Sequence, residues 1–337
     1  MDLPAATQLQ LNPEKRMKPM GKPNVYHGKG VVMRYDIDSK AKKETSNPFS
    51  KADKNNRKGK KKMALVSATY TINPYVRTPA DVLNALFREG EKNEASTRPK
   101  PIGKNVRASL LRDEKETMRP SYDEIFEAQV QQIKLRNPKG DKTVVSIMDG
   151  QESLWLALEK HMADMKVIQI LDIIHVTSYI WDAAGIFYNS GSPECCLFAR
   201  NQIKRILEGN IGTVIRGLIW RGTAAKLTEK KAARLATISG YLKNNRKRMA
   251  YDEYLKAGYP IASGVIEGAC RNIIVDRMEH SGMRWTLKGA HAMLGMRCIK
   301  LSDTWDEFTR YRIKKEHHRL YPDHKENNDL MDERKIA

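Results

Sequence analysis

Three carboxylates stand out because each lies in a stretch where a charged side chain is unusual. The first, Asp149, ends the apolar run VVSIMD (144–149) and is followed by Gly150. Asp-Gly is an ordinary turn pair, but ligand sites in α/β proteins also gather at the carboxyl ends of strands. The sequence therefore leaves two interpretations of Asp149 open, a turn residue or a metal ligand.

The second carboxylate, Asp172, is the one carboxylate in the apolar run IQILDIIHV (168–176). A carboxylate is costly to bury in such a run unless it is paired or bound to a metal. If the chain turns helical here, His175 lies on the same helix face, three residues later. Either the two side chains form a hydrogen bond in the core, or they belong to a metal or phosphate site.

The third carboxylate, Glu267, lies between Gly264 and Gly268 in SGVIEGACR (263–271). Small residues permit close approach of another backbone, here that of a nucleic acid. Arg271 follows four residues later, a spacing that usually gives a surface salt bridge on a helix. The alternative is a metal ligand beside a phosphate clamp. The segment alone favours the salt bridge.

Taken together, the three carboxylates match the demands of phosphodiester chemistry. That chemistry needs hard divalent cations, which prefer carboxylate oxygens, and two metals about 4 Å apart can activate the attacking oxygen and stabilise the leaving one. The chain also carries 60 Lys and Arg against 40 Asp and Glu, a net charge of +20. Such a charge indicates a polyanionic partner, most often nucleic acid, with an anionic membrane surface as the rival.

Several protein classes are excluded by simple patterns. The longest apolar stretches fall short of the roughly 18 residues of a membrane-spanning helix, and the N-terminal residues show no apolar core of a secretory signal. The cysteines have neither C-x-x-C spacing nor a nearby histidine pair, so a structural zinc site is not expected. We expect a cytoplasmic protein with free thiols. The cysteines are Cys195, Cys196, Cys270 and Cys298.

The elements that would position the carboxylates follow from periodicity and turn signals. Strands are predicted at 24–37, 63–72, 142–149 and 166–176, and helices at 78–90, 121–136 and 151–164, with 91–119 as a loop. Thr78 is the expected N-cap of the first helix. Residues 177–257 have helical spacing broken only by short turns, such as that at 189–194, and further helices are predicted at 263–280, 287–300 and 304–318. This order indicates an α/β core that carries a helical elaboration.

Four segments go beyond pattern and resemble bacterial insertion-sequence transposases of the Kra type. They are DGQESLW (149–155), ILDIIHVTSYIWDAA (170–184), the block from YDEYLKAGYP to HAML (251–294), and KKKMALVSATYTINPYVRTPADVLNALF (60–87). The likeness runs from about residue 25 to about residue 320, and 259–294 is its most specific part. This family belongs to the DDE transposases, so the resemblance implies cleavage and transfer of double-stranded DNA with Mg²⁺ or Mn²⁺.

The same resemblance implies an RNase H-like mixed sheet with a large all-helical insertion between the last core strand and the helix of the catalytic glutamate. The implied units are an arm (1–24), the first part of the core (25–176, with a basic loop at 39–62), the helical insertion (177–258), the last part of the core (259–318) and a charged tail (319–337). A homo-oligomer in the bacterial cytoplasm, associated with the nucleoid when bound to DNA, is also implied.

The matched motifs assign catalytic roles to individual residues of this chain. By matched motif, Asp149 resembles the second catalytic aspartate and Glu267 the catalytic glutamate, both as metal ligands. Asp172 and His175 are similar to the D-x-x-H pair of related transposases, which places Asp172 among the catalytic residues and His175 with Arg271 among the supporting ones.

One departure from the family pattern bears on activity. The first strand of the family resembles DGKGVVM, whereas this chain has HGKGVVM, with His27 where the first aspartate is expected. A neutral imidazole can bind a metal but cannot bridge two Mg²⁺ ions as a carboxylate does. Family members usually also carry a longer N-terminal region. A truncated or decayed copy, left as a DNA-binding remnant, is therefore an alternative, as is a basic nucleic-acid packaging protein with structural carboxylates.

Basic and aromatic residues provide candidate DNA contacts. The run before the second strand is either a solvated loop or a phosphate-binding loop whose affinity falls with salt. Near Glu267, Trp285 either packs in the core or stacks on a base. The candidate contacts are Lys58, Lys60, Lys61, Lys62, Arg277, Arg284 and Trp285.

Overall fold

The computed structural model of the chain describes residues 33–35, 60–62, 64–87, 98–110, 121–279 and 285–322, with the backbone alone for 33–35, 60–62, 121 and 279. The described strands pair in twos. Strand β1 (Met33–Tyr35) pairs antiparallel with β2 (Lys60–Lys62), and β3 (Ala64–Thr71) pairs antiparallel with β4 (Ile102–Leu110). Strand β5 (Val144–Met148) pairs in parallel with β6 (Val167–Leu171). The predicted α/β class is confirmed.

Helices make up most of the described chain. Their order is α1 (Pro79–Phe87), α2 (Ser121–Arg136), α3 (Glu152–His161), α4 (Ile173–Phe187), α5 (Pro193–Leu207), α6 (Ile211–Ala224), α7 (Glu229–Asn244), a 3₁₀ turn (Arg246–Arg248), α8 (Tyr251–Lys256), α9 (Gly264–Cys270), a π-helical segment (Arg271–Glu279), α10 (Leu287–Leu301) and α11 (Trp305–Leu320). The prediction that 177–257 consists of helices joined by short turns is confirmed. None of the described helices is both long and apolar enough to cross a membrane.

Two sequence predictions of loops are wrong. Strand β4 lies within 91–119, where Val106 and Leu110 are buried beneath α10 while Arg107 is exposed. Its pairing with β3, which joins Ala64 to Leu110 and Thr71 to Ile102, is a long-range contact that the local sequence does not reveal. The expected basic loop at 39–62 is also wrong at its end, because Lys60–Lys62 form β2.

The strand predicted at 166–176 is too long. Strand β6 ends at Leu171, and α4 begins at Ile173 because the Oδ1 of Asp172 accepts a hydrogen bond from the Ile174 amide at 2.9 Å. An aspartate at this N-cap position satisfies one of the free amides of the first helical turn. The isoleucine-rich composition of the segment therefore indicates burial, and not continuation of the strand.

The N-cap predicted for the first helix is confirmed. The Asp81 amide donates to the Thr78 Oγ1 at 3.2 Å, and the Thr78 amide donates to the Asp81 Oδ2 at 2.8 Å. This reciprocal pair satisfies two backbone donors at the start of α1.

Helices cover both faces of the strands. Leu65 of β3, Met148 of β5 and Val167 of β6 pack in one cluster with α2 and α3. On the other face, Ala64 and Val66 of β3 pack with α9, the π-helical segment and α10. A third and larger cluster joins α4 through α8 to Ile170 and Leu171 of β6. The helical segment thus shares its core with the strand that carries Asp172 at its end.

Candidate functional site

The parallel pair β5–β6 brings two of the predicted carboxylates together. Its register places Met148 opposite Leu171, so Asp149 and Asp172 follow equivalent positions at the carboxyl edge of the pair. Both are buried, with 3% and 1% of their surface exposed. The Asp149 Oδ1 accepts a hydrogen bond from the Gln151 amide at 2.9 Å, which leads the chain into α3. The turn interpretation of Asp149 is therefore confirmed, and its metal interpretation stays a prediction.

Asp172 connects three parts of the fold. Besides capping α4, its Oδ2 accepts hydrogen bonds from the Ser263 amide at 3.3 Å and from the Ser263 hydroxyl. Burial raises the pKa of Asp172 to about 6, the hydrogen bonds from Ser263 and Ile174 oppose this rise, and the charge of Asp149 adds to it. Because its oxygens are engaged by these donors, Asp172 is suited to hold its neighbours in place.

Glu267 reaches the same region through Ser263. Its amide donates to the Ser263 carbonyl at 3.1 Å, so Glu267 lies one helical turn beyond the serine that Asp172 holds. Burial, followed by the charge of Asp172, raises the pKa of Glu267 to about 8. The three predicted carboxylates therefore form an electrostatic series in which Asp172 interacts with Asp149 on one side and Glu267 on the other.

The three carboxylates offer oxygen atoms, which are the ligands that a hard divalent cation prefers. Among the described residues, no group of three or more His, Cys, Asp or Glu side chains is placed to hold a metal ion together. However, burial of carboxylates with raised pKa values costs free energy that a bound cation would offset. Asp149 and Glu267 are the two whose oxygens a cation would use, since those of Asp172 already accept three hydrogen bonds.

The two predicted supporting residues, His175 and Arg271, lie in different environments. His175 is buried in the first turn of α4 and lines the same cavity, of about 540 Å³, as Asp149 and Asp172. Arg271 is exposed and makes its ion pair with Asp276, with 4.0 Å between Nε and Oδ1. The surface salt bridge expected for Arg271 therefore exists, but its partner is Asp276 instead of Glu267. The π-helical geometry that starts at Arg271 changes which residues lie near one another.

Among the predicted DNA contacts, Arg277 is exposed on the π-helical segment, and Trp285 is half-buried against the cluster beneath α10. The core interpretation of Trp285 is thus supported by its packing. The side chains of Lys60, Lys61 and Lys62 are outside the described structure, as are Lys58, Arg284 and His27 altogether. Their assigned roles stay predictions.

Sequence reasoning missed a tyrosine pair that covers the Asp149 turn. The Tyr241 ring, on α7, stacks on Tyr179 with 3.9 Å between centroids and lies directly against Gly150. A Cβ at Gly150 would lie 2.6 Å from the Tyr241 hydroxyl. Burial and the charges of Tyr179 and Asp149 raise the pKa of Tyr241. No local signal could have found this contact, because Tyr241 lies in a different part of the sequence.

Ser263 was missed as well, although a signal was present. It precedes Gly264, where α9 begins, and serine is common at the start of helices. Its hydroxyl binds Asp172 and not its own helix, so only the tertiary structure gives the partner.

No protein-family model, curated protein or solved structure matches the chain at a significant level.

We predict that Gly150→Ala lowers the free energy of unfolding by about 1–3 kcal/mol, since the added methyl overlaps the Tyr241 ring and forces repacking. The measurement is urea unfolding followed by circular dichroism. Gly217→Ala is the matched control, because Gly217 lies within α6 with nothing within 4 Å of an added Cβ. That change should raise the free energy of unfolding by about 0.5–1 kcal/mol. A similar gain at Gly150 would contradict the contact with Tyr241.

The metal-free protein should lose stability as the pH rises from 4.5 towards 8. Glu267 keeps its proton in the folded protein over this range, whereas the unfolded chain releases it. A pKa raised by folding stabilises the protein at low pH, and this stabilisation is lost as the pH passes the folded pKa, by at most about 1.4 kcal/mol per pH unit.

The midpoint temperature of thermal unfolding in EDTA should therefore fall less steeply with rising pH in Glu267→Gln than in the unmodified chain. Glu253→Gln, at an exposed glutamate of α8, is the control and should keep the original slope. Parallel curves for the chain and for Glu267→Gln would mean that the carboxyl of Glu267 has an ordinary pKa.

Proposed function

We propose that the chain is a DDE-type transposase that cleaves and joins DNA strands for an insertion sequence. The observation that carries this proposal is the convergence of Asp149, Asp172 and Glu267. These are the carboxylates that the family motifs single out, they come from the ends of β5 and β6 and from α9, and Asp172 shifts the pKa of Glu267 as Asp149 shifts that of Asp172.

The arrangement of elements also supports an RNase H-like core. An antiparallel pair, β3–β4, precedes a parallel pair, β5–β6, and a long helical segment separates β6 from the helix that carries Glu267. Strands of both orientations, and a helical segment before the helix of the glutamate, are what the resemblance implies.

In this proposal Asp149 and Glu267 hold the divalent cation, Mg²⁺ or Mn²⁺. A bound cation would activate the attacking oxygen and stabilise the leaving oxygen of a phosphodiester. Asp172 acts as a positioning residue, because its hydrogen bonds to Ser263 fix the start of α9 and thereby the place of Glu267. His175 lines the same cavity in support, and Arg271 lies one turn beyond Glu267.

The positive charge of the chain serves binding of the DNA backbone. A net charge of +20 attracts phosphates and makes affinity fall steeply with salt. Arg277 is exposed ten residues after Glu267 and is a candidate phosphate contact. The partners in this proposal are the ends of the element and the target duplex, bound by a homo-oligomer in the bacterial cytoplasm.

A second candidate function is a DNA-binding remnant with impaired catalysis. The observation that favours it is His27, in the motif position where the family has its first aspartate. A basic packaging protein is a third candidate and differs from both in binding DNA without preference for an element's ends. Metal dependence separates the transposase from the other two.

We predict that the chain binds Mn²⁺ in isothermal titration calorimetry and that Asp149→Asn and Glu267→Gln each weaken this binding at least about tenfold. Loss of one oxygen ligand of a two-carboxylate site removes both a bond and a charge. The same variants should lose Mn²⁺-dependent nicking of a duplex that carries the element's end.

Asp164→Asn and Glu253→Gln are matched controls, because both residues are exposed and lie outside the carboxylate series. They should bind Mn²⁺ as the unmodified chain does. Equal binding by all four variants would place the metal elsewhere, and absence of binding by the unmodified chain would favour the remnant.

His27→Asp should raise Mn²⁺-dependent nicking, because it restores a carboxylate able to bridge two metals. His318→Asp makes the same change at an exposed histidine of α11 and should leave the rate unchanged. If His27→Asp has no effect, either the motif alignment of that strand or the whole site assignment is wrong.

A further inference from the structure

Two arginines flank one end of the β3–β4 pair. The register that joins Thr71 to Ile102 makes the chain leave β3 and enter β4 at the same end of the pair. Arg77 lies six residues after Thr71, and Arg98 lies four residues before Ile102. Arg98 precedes Pro99, which holds its backbone away from the helical conformation and favours an extended one. The pairing of the strands therefore brings the two arginines towards each other.

Arg77 is held in place by α8 and the turn that follows it. Its Nη2 donates to the Tyr259 carbonyl at 2.8 Å, and its amide donates to the Leu255 carbonyl at 3.3 Å. The guanidinium carbon lies 5.8 Å from the centre of the Tyr75 ring. The backbone amide of Tyr75 donates in turn to the Gly258 carbonyl at 2.9 Å. These contacts fix a side chain that would otherwise be flexible, so less conformational entropy is lost when it binds a ligand.

The guanidinium of Arg77 is only partly satisfied by these contacts. Its Nε is buried and has no hydrogen-bond partner among the described residues. Burial, followed by the charge of Arg98, lowers the pKa of Arg77. Tyr75 and Asp81 oppose this effect, but the Asp81 carboxylate is already engaged by the Thr78 amide and hydroxyl, both at 2.8 Å. A partly buried cation beside a second cation is costly, and an anion bound by both would offset that cost.

We propose that Arg77 and Arg98 form a binding site for a phosphate group. A guanidinium presents planar N–H donors that match phosphate oxygens, and such charge-assisted hydrogen bonds are stronger than neutral ones. A phosphate held by both side chains would accept a hydrogen bond from the Nε of Arg77 and reduce the repulsion between the two charges. The group belongs either to a nucleic-acid backbone or to a smaller phosphorylated ligand, since both offer the same oxygens. This inference uses none of the three carboxylates and holds whether or not the protein is a transposase.

Isothermal titration of the full-length chain with inorganic phosphate, in a chloride buffer with EDTA, tests the site. The unmodified chain should bind phosphate, and Arg98→Gln and Arg77→Lys should each weaken this binding at least about tenfold, because each removes charge-assisted hydrogen bonds. Arg107→Gln is the matched control, since it removes one positive charge from an exposed position of β4 and should bind phosphate as before. Equal binding by the unmodified chain and all three variants, or no binding at all, would overturn the proposal.

Thermal unfolding separates binding of a ligand from a structural role of Arg98. In phosphate-free buffer, Arg98→Gln should raise the midpoint temperature more than Arg107→Gln does, because it removes the charge that faces Arg77. Addition of inorganic phosphate should then raise the midpoint of the unmodified chain more than that of Arg98→Gln, since a ligand stabilises the folded state that binds it. A midpoint of Arg98→Gln below that of the unmodified chain in phosphate-free buffer would show that Arg98 supports the fold, and would overturn the proposal.

Fluorescence anisotropy with a labelled DNA duplex in EDTA distinguishes the two sources of the phosphate. If the site holds the DNA backbone, Arg98→Gln should weaken duplex binding and lower the slope of affinity against salt by about one, whereas Arg107→Gln should keep the slope. Weakened binding of inorganic phosphate with unchanged duplex binding would assign the site to a smaller phosphorylated ligand. Because EDTA removes divalent cations, these titrations succeed or fail independently of Mn²⁺ binding by Asp149 and Glu267.

Discussion

The buried carboxylate of Asp172 is the interaction on which the arrangement of the site depends. It follows the last residue of β6, caps α4 through the Ile174 amide and accepts two hydrogen bonds from Ser263, one turn before Glu267. Removing a carboxylate from water is costly, and these donors offset part of the cost. Because a single side chain makes all these contacts, the strand end, the helical segment and α9 are held in a fixed relation around it.

Among the three carboxylates, Glu267 is the one whose position a structural role explains least. Asp172 is buried but receives three hydrogen bonds, and Asp149 accepts one from the turn that follows it. The pKa of Glu267 is raised by burial and by Asp172, with no hydrogen bond among the causes. Groups with strongly shifted pKa values are typical of functional sites, although ion-pair networks also produce such shifts. In a chain with a net charge of +20, these carboxylates are consistent with the cation site proposed above.

The helical segment after β6, from α4 through α8, also contacts the elements around the carboxylates. Tyr241 of α7 covers the turn at Gly150, and the guanidinium of Arg248 lies 4.2 Å above the Trp155 ring while its Nε donates to Gln169 of β6. These contacts tie the far end of the helical segment to the same strands that carry Asp149 and Asp172. Tyr241 therefore covers the turn that follows Asp149, beside the buried Asp172, whose pKa is raised chiefly by burial.

The sequence alone determined the features that depend on near neighbours along the chain. Periodicity identified β3, β5 and the helical run after β6, and turn chemistry identified the cap at Thr78 and the turn at Asp149. It also singled out all three carboxylates, because a charge in an apolar stretch is visible locally. The tertiary structure decided where β6 ends, that β4 is a strand, and that Ser263 and Tyr241 belong to the site. Those outcomes depend on hydrogen bonds and packing with partners far along the chain. The residues next to a position in the sequence do not determine which distant residue it will contact.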